Sequence, residues 1–247
     1  LNSWNVSNAT DMRAMFRNAP AFNQDIGSWD ISSVTNMSEM FWNARAFNQP
    51  IGNWNTSNIT DMTGVFYETE NFNQEIGNWD TSSVTDMDKM FEGTLAFNKN
   101  IDDWDTSSVT NMTNMFNRAA VFNQPLISWN TSQVETMDGM FGGAISFNQD
   151  LNPTLITKEN ITYNSWDTFR VLNMEYMFSG ASSFSGDVTL WDVQNVTNMT
   201  RMFYYAESFN QDLSQWCVSN FDSEPNDFVE CSRIVLSAYK PVWGTCP

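Results

Sequence analysis

The chain has 247 residues, of which 41% are hydrophobic and 15% aromatic, and it carries 29 acidic against 11 basic side chains for a net charge of −18. That composition builds a core, no apolar run reaches the length of a membrane span, and the negative charge argues against nucleic acid or an anionic membrane surface as a partner. Histidine is absent, which removes the commonest general base and the Ser-His and Cys-His nucleophile pairs, so no enzyme is expected.

From the first residues the chain repeats itself. Trp4, Trp29, Trp54, Trp79, Trp104 and Trp129 stand 25 residues apart, and Trp166, Trp191 and Trp216 resume the same spacing after an insertion near 154–165. Nine copies of one unit, each able to bury its apolar face only against its neighbours, read as one continuous solenoid over residues 1–247 with no internal linker. The sequence opens at "LNSW" with a repeat already under way and no signal peptide ahead of it, the pattern of an excerpt from a longer protein.

Within the unit starting at Trp29, the expected elements are a capped helix and a short strand. Asp, Ser and Thr of "DISSVT" are helix-start residues, and Val34, Met37, Met40, Phe41 and Ala44 then follow at helical spacing. "AFNQPIGNW" reads as a short strand on the "NQxI" segment, closed by a turn at the Gly-Asn pair. The fold expected is therefore an α/β solenoid of about nine 25-residue coils, each with one short parallel strand and one helix. Tryptophan, two phenylalanine columns (Phe16 to Phe228 and Phe22 to Phe209) and an asparagine column from Asn23 to Asn210, broken at Ser185, form its ladders. Such a ladder assigns the repeat tryptophans to the core and the asparagines to bonds between coils.

Function is sought in what varies. The position after the first repeat phenylalanine holds Arg17, Trp42, Tyr67, Glu92, Asn117, Gly142, Ser179 and Tyr204. Trp42, Tyr67, Tyr204 and Tyr205 are candidate exposed partner contacts, because aromatics dominate contact hot spots. The Asp or Asn after each tryptophan (Asp30, Asp80, Asp105, Asp167 and Asp192; Asn5, Asn55 and Asn130) fits turn chemistry; the same column of carboxylates would suit calcium, although no calcium-loop motif accompanies it and no cofactor is required. Of ten Asn-x-Ser/Thr sequons most are repeat consensus, while Asn160 lies in the insertion and would be a glycosylation site in a eukaryotic secretory pathway.

At the end of the chain the ladders degrade, with Glu224 and Asp227 where methionine stands in other units, and Cys217, Cys231 and Cys246 leave three single-bridge options. The pattern "V-T-x-M-x-x-M-F-x-x-A-x-x-F-N-Q-x-I-x-x-W-D-x-S" resembles the BspA-like leucine-rich-repeat surface proteins, in particular the class of about 25 residues found in mycoplasma lipoproteins, Listeria, Bacteroidetes and algae. The resemblance implies a leucine-rich-repeat-like solenoid displayed at the cell surface or outside the cell, engaged in adhesion or protein binding. The ending "SQWCVSNFDSEPNDFV…KPVWGTCP" resembles the caps of such proteins, which implies a cap over 217–247 closed by Cys217 with Cys246 and leaves Cys231 either as a free, buried thiol or in an alternative pairing. The expected partner is a protein or cell surface, with carbohydrate a further option and no insertion into a membrane; a spacer or cargo domain without a ligand of its own is the alternative.

Overall fold

The computed structural model describes residues 1, 4–158, 160–234 and 237–247. The expected α/β, leucine-rich-repeat-like coil of one helix and one strand is not what the chain builds. Among the described residues there is no α-helix; the regular elements are β1 (Leu155–Lys158), β2 (Ile161–Asn164) and a single 3-10 turn, Ser237–Tyr239.

The segment expected to be helical is a run of turns. In the unit at Trp29 the N–H groups of Met40, Trp42 and Ala44 donate three residues back, to Met37, Glu39 and Phe41, while those of Met37, Glu39, Phe41 and Asn43 donate across to carbonyls of the next coil, Asp61, Thr63, Val65 and Tyr67. Alternate amides thus close a turn or bind the neighbouring coil, and none makes the fourth-residue bond of an α-helix. Two positions in each coil are left-handed, four residues apart: Glu39 (φ 57°) and Asn43 (φ 55°) in this unit, Gly64 and Glu68 in the next, Lys89 and Gly93 after that. Left-handed residues end an α-helix, so the apolar spacing is met here by three-residue turn closure.

The "NQxI" segment forms no strand either. Its backbone meets the previous coil through side chains: the Asn48 N–H donates to Oδ1 of Asn23 at 3.0 Å, and Gln49 Nε2 donates to the same oxygen at 2.9 Å. Asn73, Asn98, Asn123 and Asn148 repeat the backbone bond, and where Ser185 replaces asparagine its N–H still donates to Oδ1 of Asn148. The asparagine ladder is structural as expected, but partly exposed rather than buried. Among the described residues parallel pairing survives only as single-residue bridges running Asp11, Asn36, Asp61, Asp86, Asn111, Thr136, Asn173 and Asn198.

The core lies inside the coils. Trp29, Trp54, Trp79, Trp104, Trp129, Trp166, Trp191 and Trp216 are at most 5% exposed, whereas Trp4, in the outermost coil, is 54% exposed. Each buried indole N–H finds a carbonyl of the preceding coil, as Trp104 Nε1 does on Ile76 O at 3.0 Å, which removes the penalty of burying a donor. The Phe16-to-Phe203 column stacks ring on ring at 5.5 to 5.8 Å. Buried Thr56, Thr81, Thr106, Thr131 and Thr168 donate their hydroxyls to carbonyls of the following coil. The turn before Trp29, Trp54 and Trp79 brings backbones together: a Cβ at Gly52 would sit 2.2 Å from Glu75 O, so glycine is needed there.

Two features interrupt the repetition. β1 and β2 form an antiparallel hairpin, Leu155 opposite Asn164 and Lys158 opposite Ile161, with left-handed Asn160 (φ 65°) at its tip. At the far end a disulfide joins Cys217 to Cys246, Val218 N–H donates to Thr245 O, and Trp243 packs edge-on against Phe221 and Phe228. Cys231 is an exposed free thiol, which corrects its assignment to the interior.

Candidate functional site: the variable column

Because every coil repeats the same bonds, residues one repeat apart lie side by side on the surface. The column after the first repeat phenylalanine is such a row, and its large side chains pack on one another. The Trp42 ring lies on Tyr67 with centroids 3.7 Å apart and 15° between planes, and the Arg17 guanidinium covers the indole at 5.0 Å while holding Glu39 at 2.6 Å. Gly64 leaves room for that stack, since a Cβ there would come within 2.8 Å of the indole.

Charge follows along the row. Arg118 bridges Glu92 at 3.2 Å and Glu68 at 3.5 Å. Burial lifts the Glu92 carboxyl above its ordinary range against the pull of Arg118, and burial with the Glu92 and Glu68 charges lifts the Tyr67 phenol. Beyond Arg118 the row dips: Gly142, Gly143, Asn114, Asn117 and Tyr176 line a hollow of about 310 Å³. On its far side Arg201 lies over Tyr176 at 5.8 Å and over Tyr204 at 5.4 Å, and bonds Asp227 at 2.8 Å, which raises its own pKa. Tyr205 meets Tyr204 edge-on at 4.5 Å.

The four aromatic candidates therefore fall into two patches on one side of the stack. Tyr205 is exposed at 45%, but Trp42, Tyr67 and Tyr204 are half-buried rather than exposed, because each lies against a neighbour. Tyr176, Arg118 and Arg201, which complete these patches, escaped the sequence reading; each occupies a left-handed position of its coil, and a column alternating Gly and Asn with large residues was their signal.

The acidic column serves turns. Oδ1 of Asp30, Asn55, Asp80, Asp105 and Asn130 each accepts the N–H two residues on, at 2.9 to 3.2 Å. Asp and Asn are interchangeable in that bond. Among the described residues no three carboxylate or thiol side chains converge as a metal site. Asn160 is exposed at the hairpin tip. Among the described residues no helix is long and apolar enough to cross a membrane.

A family model described as "Mycoplasma protein of unknown function, DUF285" matches residues 1–78, 60–162 and 154–238. No curated protein and no solved structure matches the chain.

Proposed function

Since the chain belongs to the family described as Mycoplasma protein of unknown function, DUF285, no relative lends it an activity, and we propose that it is a binding module of the BspA-like surface-repeat kind, presenting the variable column to a protein partner outside the cell. The observation that carries this reading is the pairing of Trp42 on Tyr67, one repeat apart, beside Arg17. Half-buried aromatics with an arginine are the composition of interface hot spots, and here they are pre-ordered by their own stacking. The glycine-lined hollow and the Tyr176, Arg201 and Tyr204 patch extend the same side. The Cys217–Cys246 disulfide supports an oxidising, extracellular setting.

Catalysis has no place in the proposal. The test is a screen of the purified chain against arrays of extracellular proteins and of glycans, with calcium and with chelator, repeated with Trp42→Ser/Tyr67→Ser. A protein ligand whose affinity falls about tenfold or more in the variant is expected. Undiminished binding by the variant would place the contact elsewhere, and silence of the wild type in both conditions would favour a spacer.

A further inference from the structure

The insertion does more than interrupt the repeat. Its hairpin folds back over the segments that flank the tryptophans of earlier coils, held there by Lys158 Nζ donating to the main-chain oxygen of Asp103 at 2.7 Å and by the Tyr163 hydroxyl donating to that of Ser128. Between hairpin and coils remains a cavity of about 360 Å³, within the size range of small-molecule sites. It shares no lining residue with the hollow on the variable column.

The lining has a definite chemistry. Asp80, Asp103 and Asp105 face Lys158 as the one basic side chain, and the ring of Tyr163 with Ile161 supplies the roof. Among the described residues none of these three carboxylates forms an ion pair, and Lys158 uses a main-chain carbonyl rather than any of them. Asp80 and Asp105 spend one oxygen on the turn bond to Ser82 and Ser107 and keep the second free. The Tyr163 phenol is raised by burial and by the Asp105 and Asp102 charges, in keeping with a negative local potential.

We propose that this roofed cavity binds a small organic cation carrying ammonium or guanidinium groups, with Asp80 and Asp105 accepting its N–H donors and the Tyr163 ring covering its charge. A guanidinium or ammonium over an aromatic face gains from the ring quadrupole, and the free carboxylate oxygens take its donors. The cation's source is either a free polyamine or the basic side chain of a peptide. Calcium fits less well, since no three carboxylates converge among the described residues.

The repeat supplies a variant that leaves the fold intact. Asn already holds the same turn at positions 55 and 130, so Asp80→Asn/Asp105→Asn removes two charges and keeps both turn bonds. Calorimetric titration with spermidine, with an arginine-containing tetrapeptide, with lactose and with calcium chloride tests the site, using Asp30→Asn/Asp192→Asn as the control from the same column outside the cavity. The expected result is one-to-one binding of spermidine or the tetrapeptide, the stronger of the two identifying the source, weakened about tenfold or more in Asp80→Asn/Asp105→Asn at unchanged melting temperature and unchanged in the control. Equal weakening by the control would show diffuse attraction to an acidic surface and overturn the proposal. So would binding of lactose or calcium with both cations silent, or silence of all four.

Discussion

Trp104 shows how one side chain links adjacent coils. Its ring is 1% exposed, stacks on Trp79 and Phe91 of the preceding unit, and its indole N–H is bonded to Ile76 O. Trp104→Ala therefore removes a large packed ring and one of the two hydrogen bonds that Ile76 O accepts, the Trp79 N–H supplying the other, a loss of about 3 to 5 kcal/mol by denaturant titration; Trp4→Ala, in the exposed outer coil, should lose less than half of that. Asp138 acts in the opposite sense. Burial lifts its carboxyl above the ordinary range, with the Glu175 and Asp88 charges adding to the effect. Between the unfolded and folded pKa the native state holds a proton that the unfolded chain has released, so stability is full below the unfolded value and falls as pH rises through the folded one. Asp138→Asn should raise the melting temperature at pH 7 by about 2 °C, a small figure because the side chain is screened by solvent, and leave it unchanged below about pH 3.5. Thermal scans at the two pH values check it, and a lowered midpoint at pH 7 would contradict the burial argument.

At the scale of the element, the left-handed positions separate a turn-built coil from a helix by the sign of two substitutions. Asn114 has φ 53° and sits in the column that holds Gly64 and Gly139 in other coils. Asn114→Ala should destabilise by about 1 kcal/mol and Asn114→Gly should be neutral or stabilising, since alanine is strained there and glycine is free. In a helix the order reverses, because alanine is the best helix former and glycine among the worst. Chemical denaturation of the pair reads the answer directly.

The same positions explain what was legible. Val34, Met37, Met40, Phe41 and Ala44 are all buried as their spacing requires, so the core was readable residue by residue. The backbone beneath them was not, because spacings of three and four suit both a helix and successive three-residue turns, and the left-handed choice is marked only where glycine or asparagine stands, at Asn18, Asn43, Gly93, Gly143 and Gly180 in one column and Gly64, Asn114 and Gly139 in the other. The asparagine ladder was legible as a bonding column but not as a replacement for a strand, since amide side chains can substitute for backbone pairing without any change in hydrophobic pattern. In the candidate site, the aromatic column was found by its departure from the consensus. The cavity under the hairpin was not, because Lys158 and Tyr163 meet Asp80 and Asp105 only through a fold-back that no repeat spacing encodes.

For the whole molecule, function rests on continuity. Tyr67 and Tyr204 lie five coils apart, roughly 24 Å at a strand-like spacing of about 4.8 Å per coil, and they can serve one partner only if every coil between them keeps register. The insertion is where register is most at risk, yet Met137 N–H donates to Asn173 O and Trp166 N–H to Trp129 O across it, and the Trp129 and Trp166 rings stack at 6.5 Å. A net charge of −18 spread over such a stack works against compaction and is overcome by the ladders inside it.

Native-state hydrogen exchange resolved along the chain tests that continuity most directly, through the amides that donate into the following coil: Met37, Met62, Met87, Met112, Met137 and Met174. These six should share one slow exchange class, including Met137 beside the insertion, as expected for coils that open together. Fast exchange at Met137 with two separately protected blocks on either side would show the stack divided at the hairpin, and the single surface proposed for binding would not exist.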